Sequence, residues 1–236
     1  MTGTVVDGAG DRGRRRSSAT ARHGRTGRTE HLLFLREFVR SPLRTASVVP
    51  SSRALAEQMI QPLRGRDWST RPPVVLELGP GTGAFTRLIQ QTAPPGTRHL
   101  GIELNPVMAQ HLAAAFPAVE VVVGAAADLP RILLGQGIDG VDLIISGLPW
   151  QSFAGPNGLR LVGIIAGCLR PGGTYTQFTY SWTRWASPAK RQHRSLNDTF
   201  DDVQISRTIW RNLPPAFVYT STRPTAATDA APDSIA

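Results

Sequence analysis

The stretch V-V-L-E-L-G-P-G-T-G-A-F-T, residues 74–86, decides the fold of this chain. Apolar residues broken only by Glu77 predict a buried strand, and Gly79, Gly81 and Gly83 predict a tight turn that opens a helix. Glycine lets the backbone approach a ligand closely, and the free N–H groups of the first helical turn lie at the positive end of the helix dipole. This glycine turn, residues 79–83, therefore favours a nucleotide-like cofactor, although such turns also serve ordinary strand-to-helix packing.

A second apolar stretch, H-L-G-I-E-L at residues 99–104, strengthens the cofactor interpretation. It carries Glu103 about twenty residues beyond the turn, where a carboxylate can reach ribose hydroxyls in a nucleotide-binding αβ unit. The pieces E-L-G-P-G-T-G-A-F-T and G-I-E-L-N-P resemble motif I and the following acidic loop of class I S-adenosylmethionine methyltransferases. The resemblance implies S-adenosylmethionine as the cofactor, bound by Glu77, the glycines of the turn, Glu103 and Leu104.

The rest of the chain alternates between predicted helices and strands, which requires a parallel sheet covered on both faces. We predict helices at 84–92, 106–116, 128–134 and 159–169, and strands at 98–104, 119–123, 141–146 and 174–180. Two late strands, at 203–210 and 216–220, are expected to close the sheet as a hairpin. The predicted fold is α/β: a Rossmann-like class I methyltransferase fold, with a mostly parallel seven-stranded sheet, helices on both faces and added N-terminal helices.

The charge of the chain is concentrated near its N-terminus. The formal net charge is +9, and residues 1–66 hold 13 arginines against 5 acidic residues. Residues 1–29 are rich in Gly, Arg, Ser and Thr with almost nothing apolar, so we predict a disordered basic arm. Such an arm either solubilises the protein or is attracted to an anionic surface, which is either a phosphate backbone or acidic lipid.

Residues 30–40, E-H-L-L-F-L-R-E-F-V-R, predict a basic amphipathic helix. Its apolar stripe is formed by Leu32, Leu35, Phe38 and Val39. Such a helix commonly packs on its own domain, but behind a basic arm it suits the interface of an anionic membrane. A second helix at 53–63, capped by Ser51 or Ser52, completes an N-terminal segment of residues 30–66.

Length and composition predict one methyltransferase domain at residues 67–221, followed by a disordered tail at 222–236. The single cysteine, Cys168, lies in an apolar run and is interpreted as a buried residue that suits a reducing cytosol. No run approaches the ~20 apolar residues that span a bilayer, so we expect neither a transmembrane helix nor a signal peptide. Scattered histidines and one cysteine lack ligand spacing, so no metal is expected. The expected location is cytoplasmic, with peripheral attachment to the membrane.

The fourth predicted strand ends in I-S-G-L-P-W, residues 145–150, where we expect the chemistry. Ligands of open α/β sheets bind beyond the carboxyl ends of strands, so this loop and the glycine turn should open on one cleft. We assign Ser146 to the cofactor and the following four residues to catalysis, namely Gly147, Leu148, Pro149 and Trp150. Ribosomal-RNA adenine dimethylases carry Asn-Leu/Ile-Pro-aromatic here, and the missing amide counts against a nucleobase acceptor.

Six pieces of the chain, spread over residues 33–220, resemble bacterial phospholipid N-methyltransferases, which methylate phosphatidylethanolamine. They are F-L-R-E-F-V-R-S-P-L-R-T-A-S-V-V-P-S-S-R-A-L-A, E-L-G-P-G-T-G-A-F-T, G-I-E-L-N-P, I-S-G-L-P-W, L-R-P-G-G-T-Y-T-Q-F-T-Y and W-R-N-L-P-P-A-F-V-Y. The resemblance implies a phospholipid substrate at an anionic membrane surface. Such enzymes usually carry Gly-Asp-Ala after the third strand, where this chain has Gly124, Ala125 and Ala126. Adenine recognition is therefore assigned to Asp128 or to backbone groups.

The acceptor amine needs few protein groups, because an in-line displacement is accelerated mainly by positioning and desolvation. Tyr180, at the end of the fifth strand, is the first candidate for contacting the amine. Trp150 and Trp182 either face a methylated ammonium through cation–π attraction or pack in the core. The histidines are interpreted as structural or exposed, namely His99, His111 and His193.

Three functions remain open from the sequence. The first is a peripheral-membrane phospholipid N-methyltransferase, which the amphipathic helix favours. The second is a methyltransferase of a soluble amine or specialised metabolite, and the departure at Ala125 leaves room for it. The third and least favoured is an RNA adenine methyltransferase or RNA-binding protein, which only the basic arm supports.

Overall fold

A central sheet organises the described part of this computed structural model, residues 51–150 and 156–224. The predicted basic arm at 1–29 and the amphipathic helix at 30–40 lie outside the described residues, as does most of the predicted tail. None of the helices in the described residues is long and apolar enough to cross a bilayer. Numbered within the described chain, the strands are β1 Val74–Leu78, β2 Arg98–Glu103, β3 Glu120–Val123, β4 Val141–Ser146, β5 Leu169–Tyr180, β6 Phe200–Ile205 and β7 Ala216–Pro224.

The helices lie between these strands, as the alternation predicted. They are α1 Arg53–Met59, α2 Gln61–Arg64, α3 Ala84–Thr92, α4 Pro106–Ala115, α5 Leu129–Gly135, α6 Pro156–Gly167 and α7 Ser187–Thr199, with 3-10 turns at Ala126–Asp128 and Ser181–Thr183. The Ser52 hydroxyl caps α1 by accepting a hydrogen bond from the Leu55 N–H at 3.2 Å, as predicted. The expected single helix at 53–63 is divided at Ile60, because Pro62 has no N–H to continue the helical ladder.

The strand order is β3-β2-β1-β4-β5-β7-β6, and only β7 runs antiparallel to its neighbours. The predicted Rossmann-like methyltransferase fold with a late hairpin is confirmed. Between β1 and β4 the order of the strands reverses, so the loops after these two strands diverge and leave a crevice at the carboxyl edge of the sheet. The ends of β5 and β6 and the start of β7 lie at this same edge, because β7 returns antiparallel.

The C-terminal third differs most from the sequence prediction. Helix α7 was not predicted, because its polar sequence contains a single large apolar residue, Leu196, and no apolar stripe. The helix nevertheless packs on the sheet through Ala189, Gln192, Ser195 and Leu196. Strand β5 begins at Leu169 rather than at the predicted residue 174, with a register shift opposite β4. Strand β7 continues to Pro224, three residues beyond the predicted end of the domain.

Two apolar clusters cover the two faces of the sheet, because neighbouring residues of each strand point to opposite faces. Leu76 and Ile144 contribute to one cluster, together with α5, α6 and α7, while Val75 and Ile145 contribute to the other, together with α1 and α3. Cys168 is buried in the first cluster, and this burial raises the pKa of its thiol to about 11. The thiol is therefore protonated at neutral pH, in agreement with its interpretation as a buried residue.

An ionic cluster holds the amino edge of the sheet, opposite the crevice. The Arg71 guanidinium donates two hydrogen bonds to the Asp142 carboxylate, at 2.9 and 2.6 Å, and Arg170 donates a third at 3.1 Å. The Val74 N–H also donates to this carboxylate, at 2.8 Å. Burial alone would raise the pKa of Asp142, but the hydrogen bonds from Arg71 and Val74 and the two positive charges outweigh it and lower the pKa.

Candidate active site

The glycine turn and the 147–150 loop meet across the carboxyl ends of β1 and β4. The Gly147 N–H donates to the Leu78 carbonyl at 2.8 Å, and the Gly79 N–H donates to the Ile102 carbonyl of β2 at 2.9 Å. The ends of three neighbouring strands are thus joined by backbone hydrogen bonds. The structure brings the two predicted loops together at the crevice, as the sequence analysis expected.

The glycine turn adopts a backbone that side chains would disturb. Gly79, Gly81 and Gly83 all have positive φ, at 65°, 55° and 79°. A Cβ at Gly83 would lie 2.5 Å from the Phe116 ring, so this position tolerates only glycine. Helix α3 begins directly after Gly83, without a side-chain cap. Its first N–H groups are available to an electronegative group of a ligand.

Glu103 connects the end of β2 to the glycine turn. One carboxylate oxygen accepts a hydrogen bond from the Gly81 N–H at 3.1 Å, and the other accepts from the Asn105 N–H at 3.0 Å. A carboxylate offers about four acceptor positions, so two remain for hydroxyl groups of a ligand. The geometry fits the predicted ribose-binding role of Glu103, and Leu104 follows it, half-buried, at the same edge.

Glu77 is fully enclosed beneath the glycine turn. Its Oε2 accepts a hydrogen bond from the Thr86 hydroxyl at 2.7 Å and lies 3.3 Å from His99 Nε2. The Gln90 amide nitrogen lies 2.9 Å from the other ring nitrogen of His99, Nδ1. Glu77 thus ties β1 to the first turn of α3 and to β2. Its other oxygen, Oε1, has no hydrogen-bond partner among the described residues.

Gly147 lies in close contact with the backbone of the glycine turn. A Cβ at this position would lie 2.6 Å from the Gly79 carbonyl oxygen and 3.5 Å from that of Leu78. Gly147 is predicted to lie next to the methyl acceptor. In the structure, a side chain at position 147 would point toward the glycine turn. Leu148 packs on the other side, with its Cδ2 atom 3.1 Å from the position of a Cβ on Gly79.

Buried side chains support the 147–150 loop from below. The Ser146 hydroxyl accepts hydrogen bonds from the Trp150 indole N–H at 2.9 Å and from the Leu148 N–H at 3.3 Å. The Trp150 ring is buried and contacts the Tyr175 ring edge-on, with centroids 6.2 Å apart. Burial raises the pKa of the Tyr175 hydroxyl well above its ordinary value. Ser146 and Trp150 therefore position the loop from within the core.

The remaining predicted residues lie around the rim of the crevice. Tyr180 ends β5 and is half-buried, with its ring 5.6 Å from that of Phe178. Pro149 is half-buried at the tip of the loop, and Trp182 is largely exposed. Asp128 ends the 3-10 turn that follows β3 and lies 3.9 Å from the guanidinium of Arg131.

Gln177 is not among the predicted site residues, yet it is fully buried in β5 opposite Ser146. Its amide oxygen accepts hydrogen bonds from the Tyr175 hydroxyl at 2.9 Å and from the Gln192 amide of α7 at 3.0 Å. Its amide nitrogen has no partner in the described part of the chain. A fully buried glutamine is uncommon, and a glutamine in the middle of a predicted central strand was the available signal.

The comparisons with known proteins agree with this architecture. Residues 75–173 match the family model of a methyltransferase domain. The chain is similar to the ornithine lipid N-methyltransferase of Singulisphaera acidiphila, with 33% identity over 194 residues that cover 80% of this chain and 94% of that protein.

Solved methyltransferases share the fold at low sequence identity. The CurJ carbon methyltransferase aligns with a TM-score of 0.55 and 15% identity over 69% of this chain and 51% of that chain. The precorrin-6y C5,15-methyltransferase of Geobacter metallireducens aligns with a TM-score of 0.54 and 14% identity, over 73% of this chain and 89% of that chain. Fibrillarin of Aeropyrum pernix was solved with natively bound S-adenosyl-L-methionine. It aligns with a TM-score of 0.50 and 19% identity, over 63% of this chain and 66% of that chain.

Proposed function

This chain belongs to the class I S-adenosylmethionine-dependent methyltransferases, and we propose that it methylates the amine of a membrane lipid headgroup. The observation that carries the proposal is the similarity to a lipid N-methyltransferase along nearly the whole of that protein. The residues at the acceptor end of the crevice support it. They are apolar, aromatic or hydroxylic, since residues 147–150 and 179–183 contain neither a carboxylate nor an imidazole.

The cofactor supplies an electrophilic methyl group on a sulfonium, and the described residues fit it. The glycine turn offers a close backbone approach, and Glu103 keeps two acceptor positions for ribose hydroxyls. We propose that Glu77 acts from beneath by holding the turn against α3 rather than by direct contact. Asp128 or the backbone at 124–126 is proposed to contact the adenine.

The acceptor side must deliver a neutral amine in line with the methyl carbon. As the N–C bond forms the S–C bond breaks, and the nitrogen loses one proton to solvent. Apolar surroundings disfavour the ammonium form of an amine, so enclosure beside Leu148 and Tyr180 promotes the reactive neutral form. No strongly basic side chain is required. We propose that the residues on the acceptor side position the amine and exclude water.

Two lipid amines are the candidate acceptors. Phosphatidylethanolamine is the acceptor of the family that the sequence resembles, and ornithine lipid is the acceptor named for the 33% identical relative. Both present a primary amine at the headgroup level of a bilayer. A soluble amine or metabolite is the alternative, because it would make the same displacement without a bilayer.

The test is methyl transfer from labelled S-adenosylmethionine to defined acceptors. The intact protein is incubated with vesicles that contain phosphatidylethanolamine or ornithine lipid, with dissolved ethanolamine or ornithine, and with RNA. We expect label in a lipid fraction, and the responding vesicle identifies the headgroup. Glu103→Ala is the matched control that should lose label in every fraction. Label only in dissolved amines, or only in RNA, would contradict the lipid proposal.

A further inference from the structure

We propose that an exposed tryptophan surface, formed by Trp182, Trp185, Trp210 and Leu213, docks the carboxyl edge of the sheet onto an anionic bilayer. The choice of a bilayer as partner rests on the proposed lipid substrate. The surface itself rests on the exposure, charge and position of these residues. It lies within the described part of the chain and is separate from the amphipathic helix predicted at 30–40.

Two segments form this surface, and the sheet brings them together. Residues 181–186 follow the end of β5, and residues 206–215 connect β6 to β7. The first residue of β7, Ala216, is paired with the last residue of β5, Tyr180. The Ser181 N–H donates to the Pro215 carbonyl at 2.8 Å, which joins the two segments directly. Both therefore lie beside the rim of the crevice.

The exposure of these side chains is unusual for a water-soluble surface. The three tryptophans and Leu213 are between 66% and 78% exposed, although tryptophan is among the most buried residues on average. The chain has five tryptophans, so three of the five lie on this one surface. In contrast, Trp150, the last residue of the 147–150 loop at the same crevice, is buried. Clustered exposure of this kind marks an interaction site.

The two segments that carry the tryptophans, together with the start of α7, hold positive charge and no acidic residue. Residues 181–191 and 206–215 contain no acidic residue. They contain five exposed cations, namely Arg184, Lys190, Arg191, Arg207 and Arg211. The Arg184 guanidinium lies 5.9 Å from the Trp185 ring centroid and 5.5 Å from that of Phe217, so it is held beside the aromatic surface. Each such cation is attracted to the surface of an anionic bilayer.

Tryptophan and arginine together fit the headgroup region better than they fit water or a protein core. The indole ring buries apolar area while its N–H remains in a wet layer, which is why tryptophan is enriched at membrane interfaces. The arginines complement anionic headgroups. Docking by this surface places Tyr180 and the crevice at the bilayer, so a headgroup amine enters without the lipid leaving the membrane.

Vesicle binding by the full chain tests the surface. The probes are vesicles of phosphatidylglycerol with phosphatidylcholine and vesicles of phosphatidylcholine alone, measured by flotation. For Trp185→Ala with Trp210→Ala we expect a fall in anionic-vesicle affinity of about tenfold per tryptophan, which persists at high salt. Trp182 is left unchanged in this variant, because it is also a candidate for contact with the methylated ammonium of the acceptor.

The chain offers a matched pair of leucines as a control. Leu213 and Leu134 are both strongly exposed, but Leu134 lies in α5 outside the tryptophan surface. Leu213→Ala should weaken vesicle binding about threefold, whereas Leu134→Ala should leave it unchanged. This single change also keeps the test valid if the double tryptophan variant folds poorly.

The outcomes separate this proposal from the proposed function. Wild-type vesicle binding by both the Leu213 and the tryptophan variants would overturn the docking surface, whatever the enzyme methylates. A change of oligomeric state in the variants, seen by size-exclusion chromatography, would assign the surface to a second copy and also overturn it. If the variants bind vesicles weakly but methylate a dissolved short-chain lipid amine normally, both proposals hold. If the wild type binds vesicles but methylates no lipid, only the proposed function fails.

Discussion

On the cofactor side of the crevice, Glu103 holds the glycine turn through the backbone N–H of Gly81, whereas on the acceptor side the 147–150 loop is held by buried side chains. The cofactor side uses residues within about one βαβ unit, which is a short stretch of sequence. The acceptor side links β4 with β5 and, through Gln177 and Gln192, with α7. We therefore expect the cofactor side to be less sensitive to substitutions elsewhere in the chain. The acceptor side should depend on the packing of α7 against β5.

The largest effect is expected where the two sides touch. In Gly147→Ala the new Cβ would lie 2.6 Å from the Gly79 carbonyl oxygen and push the glycine turn away. We expect turnover to fall about 100-fold, with loss of cofactor affinity as well, because an overpacked contact costs about 3 kcal/mol. Calorimetry measures the cofactor affinity, and steady-state kinetics measure the turnover. Gly163→Ala is the matched control, because its Cβ meets no atom within 4 Å. Unchanged cofactor affinity in Gly147→Ala would show that the two sides are independent.

A smaller effect is expected on the cofactor side alone. Glu103→Ala should weaken S-adenosylmethionine by about 1 to 3 kcal/mol, through loss of hydrogen bonds to the ribose and of the tie to Gly81. Glu120→Ala is the control, since this neighbouring carboxylate is exposed and pairs with Arg98 instead. Calorimetry with the cofactor decides. Equal affinities for Glu103→Ala and the wild type, or preferential binding of NAD by the wild type, would remove Glu103 from the cofactor site.

On the acceptor side, Tyr180→Phe should lower kcat about fivefold and leave cofactor affinity unchanged. The phenol is proposed to orient the amine, and one neutral hydrogen bond is worth about 1 kcal/mol. The measurement is steady-state turnover with lipid vesicles, and cofactor calorimetry on the same variant serves as its control. Equal losses of affinity and turnover would instead mean that Tyr180 supports the fold.

The smallest effects are expected for the N-terminal segment, through the amphipathic helix predicted at 30–40 and the basic arm predicted before it. Leu35→Glu with Phe38→Glu should impair flotation with anionic vesicles at low and high salt, by removing the apolar stripe. Deletion of residues 2–28 should weaken flotation mainly at low salt, because salt screens the attraction between exposed arginines and the anionic surface. If the double variant floats like the wild type, the helix packs on the protein instead.

The sequence was most informative where the backbone itself is constrained. The positive-φ glycines, the strand before them and Glu103 could be predicted, because each requires a particular residue type at a fixed spacing. Helix α7 could not be predicted, because Gln192 and Ser195 on its buried face look like surface residues until β5 is known. The same holds for Gln177, whose partners are separated from it by up to 15 residues. The exposure of Trp185 and Trp210 likewise depends on the tertiary fold.

The ionic cluster at the amino edge makes folding sensitive to acid. Because Arg71, Val74 and Arg170 lower the pKa of Asp142 in the folded chain, the folded state binds its proton less readily than the unfolded state. The stabilisation is complete above the ordinary pKa of an aspartate and is lost as the pH falls through the lowered value. Acid should therefore loosen the starts of β1 and β4 first, at the edge farthest from the crevice. Neutral and mildly alkaline conditions leave this contribution intact.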